Sequence, residues 1–140
     1  MSFQFLSDPW LIRNLDLKRP VGLIMGLVIH HISSTSEARR IVGEYVAALP
    51  SGSYLVMSHA SNPRDGSRLA DLAEKLEAKF KDSFHSLHFR QSEEIRSFFD
   101  GLELIDPGIV PIGAWWPSGP SLGVPSDVGQ LCLGGVGRKP

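Results

Sequence analysis

Few side chains in this sequence can do chemistry near neutral pH: it holds five histidines and one cysteine. An imidazole titrates close to pH 7, so a histidine can remove a proton from an acceptor oxygen or nitrogen. His30 and His31 are adjacent and follow the apolar run Val21-Gly22-Leu23-Ile24-Met25-Gly26-Leu27-Val28-Ile29. His59 stands at the end of a second apolar run, Tyr54-Leu55-Val56-Met57, with Ser58 between. If both runs are strands of an open α/β sheet, the three imidazoles lie at carboxyl ends, where such sheets bind ligands. The plainer alternative is that they cap the strand ends with hydrogen bonds. Ser58 and His59 make a poor nucleophile and base, because neighbours on a strand point to opposite faces and no acid orients the pair.

Other chemistries find little support. His85 and His88 have a spacing that suits a metal on one helix face, but no carboxylate or further histidine lies close by, so no metal is assigned. There is no G-x-G-x-x-G, Walker loop, H-E-x-x-H or G-x-S-x-G. Gly134-Gly135-Val136-Gly137-Arg138-Lys139 is glycine-rich but opens no helix, and reads as a terminal strand rather than a phosphate cradle. Trp115 and Trp116 could stack on a flat substrate, although aromatic residues beside Pro117 more often pack a connection onto the core.

Fourteen Lys and Arg against fifteen Asp and Glu leave a net charge of -1, which offers no broad field for nucleic acid or an anionic membrane. Val21 to Ile29 is about half the length needed to cross a bilayer, and Met1-Ser2-Phe3-Gln4-Phe5 lacks a basic leader region. The single Cys132 excludes a disulfide scaffold and fits a reducing compartment, so the expected address is cytoplasmic.

The elements that must hold these side chains read as α/β. Asp8-Pro9 opens a short helix in which Trp10, Leu11 and Leu15 could share a face. Val21 to Ile29 has no polar residue and reads as a strand covered on both faces. Ser34 and Glu37 form a capping box ahead of Ala38, Ile41, Val42, Tyr45, Ala48 and Leu49, which recur at helical spacing until Pro50-Ser51-Gly52. Tyr54 to Met57 is the next strand, completing a βαβ order. Leu69, Leu72, Ala73, Leu76 and Phe80 line another helix, with Asp71/Lys75 and Glu77/Lys81 as outer pairs. A third helix starts at Ser92 and stops near Gly101. Two strands follow, Leu102 to Ile105 and Leu131 to Gly137, separated by a Pro/Gly-rich connection. Residues 1–140 are read as one domain, with 1–15 a segment outside this pattern.

Arg19-Pro20-Val21-Gly22-Leu23, Val28-Ile29-His30-His31-Ile32, Gly52-Ser53-Tyr54-Leu55-Val56-Met57-Ser58-His59-Ala60, Phe98-Phe99-Asp100-Gly101-Leu102-Glu103-Leu104, Pro107-Gly108-Ile109-Val110-Pro111 and Gly134 to Pro140 occur in an order that resembles one family. It is the actinobacterial family of S-adenosylmethionine-dependent methyltransferases, and the likeness runs from about Asp16 to Pro140. It implies the class I, Rossmann-like methyltransferase fold, of which this chain resembles the C-terminal half. Val21 to Ile29 would be the fourth strand, Tyr54 to Met57 the fifth, Leu102 to Ile105 the sixth and the last strand the antiparallel seventh, with flanking helices. The first three strands, with the glycine-rich loop and the acidic residue that hold the cofactor, fall outside the likeness.

The resemblance implies S-adenosylmethionine as cofactor, touched at the end of the fourth strand by Gly26, Leu27 and His30. It implies transfer of a methyl group to a small-molecule acceptor, from which His30, His31 or His59 could remove a proton, since an imidazole titrates near neutral pH. The alternative is a non-catalytic, self-associating remnant or interaction module. In the full fold the first strand lies beside the fourth, so Val21 to Ile29 is expected to be an apolar edge here. Either a homodimer or a separate N-terminal half is the expected partner.

Overall fold

The βαβ order read from the sequence is present in the computed structural model, which describes residues 7–83, 87–115, 123 and 126–140. A short helix α1 (Pro9–Asn14) precedes β1 (Gly22–Gly26), and α2 (Thr35–Ala48) carries the chain to β2 (Tyr54–Ala60). β1 and β2 are parallel, in a register that sets Gly22 beside Tyr54 and Gly26 beside Ser58. Then come α3 (Arg68–Ser83), α4 (Ser92–Ser97), β3 (Glu103–Leu104), β4 (Val110–Pro111), α5 (Asp127–Gln130) and β5 (Cys132–Arg138). The strand order is β1-β2-β5-β3, and β4 also pairs with β5. β5 runs antiparallel to β2, β3 and β4. The fold is α/β with an open, mixed sheet.

Local chemistry explains the helix boundaries. Asp8 caps α1 by accepting from the backbone N–H groups of Trp10 at 2.8 Å and Leu11 at 3.2 Å. Ser34 caps α2 by accepting from Glu37 N at 3.2 Å. Only half of the expected capping box forms there, because the Glu37 carboxylate is taken by Arg40, 2.6 Å away. At the other end of α2, Lys139 donates to the carbonyls of Val46, Ala47 and Leu49 at 2.9, 3.1 and 2.6 Å, filling orphan acceptors with a cation. The third helix starts at Ser92 as expected, behind a reciprocal capping box of Gln91 and Glu94, but its helical turns end at Ser97 rather than near Gly101.

Several expectations need correction. β1 ends at Gly26 because Leu27 adopts a left-handed backbone with φ 51°, and Ile29–His31 then forms a single 3-10 turn. Nor is β1 covered on both faces. Leu23 and Met25 meet α2, Phe98 and Phe99 in the main core, but Ile24 on the opposite face is 74% exposed. The described helix residues packed against β1 belong to one side of it. In α1 only Leu11 is buried, while Trp10 and Leu15 are exposed. Glu77 turns from Lys81 to accept from Asn62 Nδ2 at 3.0 Å.

The glycines of β5 have a packing role. A Cβ on Gly137 would lie 2.8 Å from Phe99 and 3.0 Å from Leu102, and one on Gly135 would meet Ile109 and lie 3.2 Å from Phe99. The tail is bare so that Phe99 can approach the sheet closely. Gly135→Ala is therefore expected to cost about 1–3 kcal/mol through overpacking. Gly22→Ala, where nothing lies within 4 Å, is the control, and paired urea titrations read the difference.

Candidate active site

The chain leaves β1 at Leu27, whose N–H is held by Ser58 through both its carbonyl, at 3.2 Å, and its Oγ, at 3.1 Å. This bond assigns Ser58 a structural role at the junction. The 3-10 turn that follows is anchored by the buried Ile29 and delivers His30 inward while His31 stays at the surface. The ring centroids of His30 and His31 lie 4.5 Å apart in an edge-to-face arrangement, and His59, from β2, stands 5.8 Å from His30. The three histidines named from sequence thus converge at the carboxyl ends of two parallel strands. Gly26 and Leu27 share that end and are exposed.

The three rings have different environments. His59 is fully buried and stacks on Phe98 at 5.8 Å. Its Nε2 lies 2.9 Å from Arg90 Nη1, and its Nδ1 lies 2.6 Å from the Ala60 carbonyl. A guanidinium only donates, so Nε2 accepts and the proton sits on Nδ1, directed at Ala60 O. Both nitrogens are committed, which makes His59 a neutral structural link rather than a free base. Burial pushes its pKa down to about 4, with the nearby Arg90 and His30 acting in the same direction and the Ala60 hydrogen bond opposing them. His30 is also pushed down to about 4, first by burial and then by the charges of His31, Arg90 and His88. Its Nδ1 is the one buried side-chain polar atom without a hydrogen-bond partner among the described residues.

Arg90 organises this corner, and the sequence reading missed it. Its side chain reaches back across the strand ends from the segment before α4, and the residue is only 2% exposed. Nε donates to Thr35 Oγ1 at 3.0 Å, Nη1 donates to His59 and reaches toward Ile29 O at 3.4 Å, and Nη2 donates to the carbonyl of Ile32 and approaches that of Ser33 at 3.4 Å. The guanidinium also sits 5.6 Å from the centre of the Phe98 ring. One cation thereby ties the loop after β1 to the start of α2 and to β2. No local pattern announces it, since an arginine between Phe89 and Gln91 looks like an ordinary loop residue. The bridge between Ser61 and Arg90 that places it is a tertiary contact.

Beside this corner a cleft of about 610 Å³ opens between the start of α2, α3 and the segment 87–90. Arg64, Lys81 and His88 line it together with Glu74, Glu77 and Glu94. His88 also donates its backbone N–H to His30 O at 2.8 Å, so the cleft and the histidine corner share a wall. His85 lies outside the described residues, as does Trp116. Among the described residues no group of three or more His, Cys, Asp or Glu is placed to hold a metal. Trp115 packs the connection onto β5, donating from Nε1 to Gly134 O at 3.0 Å. No helix among the described residues is long and apolar enough to cross a membrane.

A family profile described as S-adenosyl methyltransferase matches residues 2–140. It begins ahead of Asp16, so it takes in α1 as well. Among solved structures, a DUF574 family protein from Streptomyces avermitilis MA-4680 is 32% identical, with a TM-score of 0.83 over 99% of this chain and 52% of its own. A candidate methyltransferase from Thermobifida fusca YX is 30% identical, with a TM-score of 0.82 over 99% of this chain and 50% of its own. An O-methyltransferase family 2 protein from Planctomyces limnophilus, solved with apigenin, shares the fold at 18% identity and a TM-score of 0.57. No curated protein matches the chain. This chain spans about half the length of the two actinobacterial structures it most resembles in sequence and shape among these. With the profile covering residues 2–140, the chain belongs to the S-adenosyl methyltransferase family.

Proposed function

We propose that this chain forms the acceptor-side part of an S-adenosylmethionine-dependent methyltransferase acting on a small molecule. The observation that carries the reading is the carboxyl end of β1. There an exposed left-handed turn at Leu27 adjoins a buried imidazole, His30, whose Nδ1 has no partner. A buried polar atom without a protein partner costs about 1–3 kcal/mol, so a hydrogen bond from a bound molecule at this open turn would be favourable. The residues fit the cofactor to that extent: Gly26, Leu27 and His30 would touch it. When bound, the cofactor supplies a methyl group on a sulfonium with a good leaving group.

The chain's own residues then orient and desolvate the acceptor. His30 is neutral at pH 7, since its pKa lies near 4, and can accept a hydrogen bond from an acceptor hydroxyl or amine. Its low basicity suits alignment better than proton storage. The cleft of mixed charge next to His88 suits a polar acceptor of modest size.

Amide spectra of the chain titrated with S-adenosylhomocysteine test this. Saturable shifts confined to Gly26–His31 are expected at millimolar ligand, because few of the contacts that hold the cofactor belong to this half. Shifts scattered elsewhere, or none, would remove the reading. Saturation at micromolar ligand would show that this half suffices alone.

A further inference from the structure

We propose that the cleft beside the histidine corner takes a zwitterionic small molecule, with its ammonium toward Glu74 and its carboxylate toward Lys81. Calling that molecule the methyl acceptor rests on the methyl-transfer reading; its binding does not.

The cleft is built from chain between Ser33 and Glu94. Its α3 wall is fixed from behind, because Leu69, Leu72, Leu76 and Phe80 occupy a separate face of that helix and pack with Ala60, Phe89 and Leu131. No residue of β1 belongs to this cluster. The segment facing α3 is pinned as well: Arg90 N donates to Ala60 O at 3.2 Å, and Asn62 N donates to Arg90 O at 3.0 Å. A volume of about 610 Å³ between such walls lies within the range of small-molecule sites.

The charged groups lining the cleft differ in how far they are already committed. Glu77 accepts from Asn62 Nδ2 at 3.0 Å and has Arg64 at 3.9 Å. Arg64 donates to Phe89 O at 2.9 Å. Glu94 accepts from Gln91 N at 3.1 Å in the cap of α4, and Arg90 is taken up by the corner. That leaves Glu74 and Lys81, neither of which has an ion pair or side-chain hydrogen bond among the described residues. The sequence offers Lys81 an (i, i+4) partner in Glu77, but Asn62 and Arg64 hold that carboxylate elsewhere.

Glu74 and Lys81 are two helical turns apart, so they share a face of α3 at a spacing of about 10.5 Å along its axis. Ala78 lies between them on the cleft wall and leaves room for an uncharged chain. A simple anion or cation would satisfy one of the two charges, whereas a molecule charged oppositely at its two ends satisfies both. Both side chains are exposed, so water screens each contact and the expected affinity is millimolar.

Three probes of equal chain length test this by amide spectra of the 140-residue chain: ε-aminocaproate, caproate and hexylamine. Saturable shifts at Glu74, Ala78, Lys81 and His88 are expected with ε-aminocaproate, and at least fivefold weaker binding with the two singly charged probes. Glu74→Gln is expected to erase the advantage of ε-aminocaproate over caproate, and Lys81→Gln its advantage over hexylamine. Far-UV circular dichroism should be unchanged in both variants, since neither side chain has a partner to lose. Absence of saturable shifts with ε-aminocaproate, equal affinity for the three probes, or an advantage that survives both substitutions would each overturn the proposal. None of the probes needs the cofactor, so the S-adenosylhomocysteine titration at Gly26–His31 can fail while the cleft binds, and the cleft can fail while that titration succeeds.

Discussion

Replacing Arg90 by methionine is expected to destabilise the fold by about 3–5 kcal/mol, a large share of the ~5–15 kcal/mol that holds a domain together. The side chain is buried, and its hydrogen bonds satisfy Thr35, His59 and the carbonyl of Ile32, with longer contacts to Ile29 and Ser33. Methionine fills comparable space and donates to none of them, so several buried acceptors lose their partner at once. Arg90→Lys keeps the charge but has no planar fork to span both sides of the loop, and its loss should be smaller, about 1–3 kcal/mol. Urea titrations of the three proteins decide this. Equal midpoints for Arg90→Met and the parent would show that the guanidinium does not hold the corner. Removing this cation also lifts a charge that lowers the pKa of both His30 and His59, so both rings should titrate at higher pH in Arg90→Met.

The parent chain is expected to lose stability steadily as pH falls from about 6.5 toward 4. The His59 pKa lies near 4 in the fold against 6.5 when free, chiefly through burial. Between those values the unfolded chain binds more protons than the native one, so stability rises with pH across that window. The contribution is complete above pH 6.5 and is lost as pH falls toward 4. His59 alone accounts for about 3 kcal/mol of this loss, and His30 adds to it with the same sign. Both rings face Arg90, and His30 faces His31 and His88 too, so protonating either would set cations together in a buried space. Stability measured from pH 7.5 to 4.5 should fall steadily. In His59→Gln, which keeps an acceptor for Arg90 and cannot titrate, the slope should be clearly shallower. A flat profile in the parent would contradict the burial argument.

Much of the fold was legible because its determinants are local. The apolar runs Val21 to Ile29 and Tyr54 to Met57, the Ser34 cap and the helical spacing from Ala38 to Leu49 led to the parallel strands Gly22–Gly26 and Tyr54–Ala60 joined by a helix. The placement of His30, His31 and His59 followed from the same runs, since a residue just past a strand's apolar stretch must lie at its end. Less legible were features that depend on neighbours distant in sequence. The left-handed turn at Leu27 shortens β1 because Ser58, on the next strand, captures its N–H. The short β4 exists because Val110 and Pro111 meet Gly134 and Leu133.

By itself, then, the sequence determined the α/β order, the parallel pair and the end of the sheet at which its histidines gather, because hydrophobic periodicity, capping and turn chemistry act over a few residues. Only the tertiary structure decided what each histidine can do. Hydrogen-bond partners and burial set that, and the deciding ones come from chain far away: Arg90 reaches across 31 positions to commit Nε2 of His59 to structure. It also decided that Ile24 faces outward. An unbroken apolar run records that a strand is hydrophobic, but which of its faces is covered depends on where α2 and α4 come to rest.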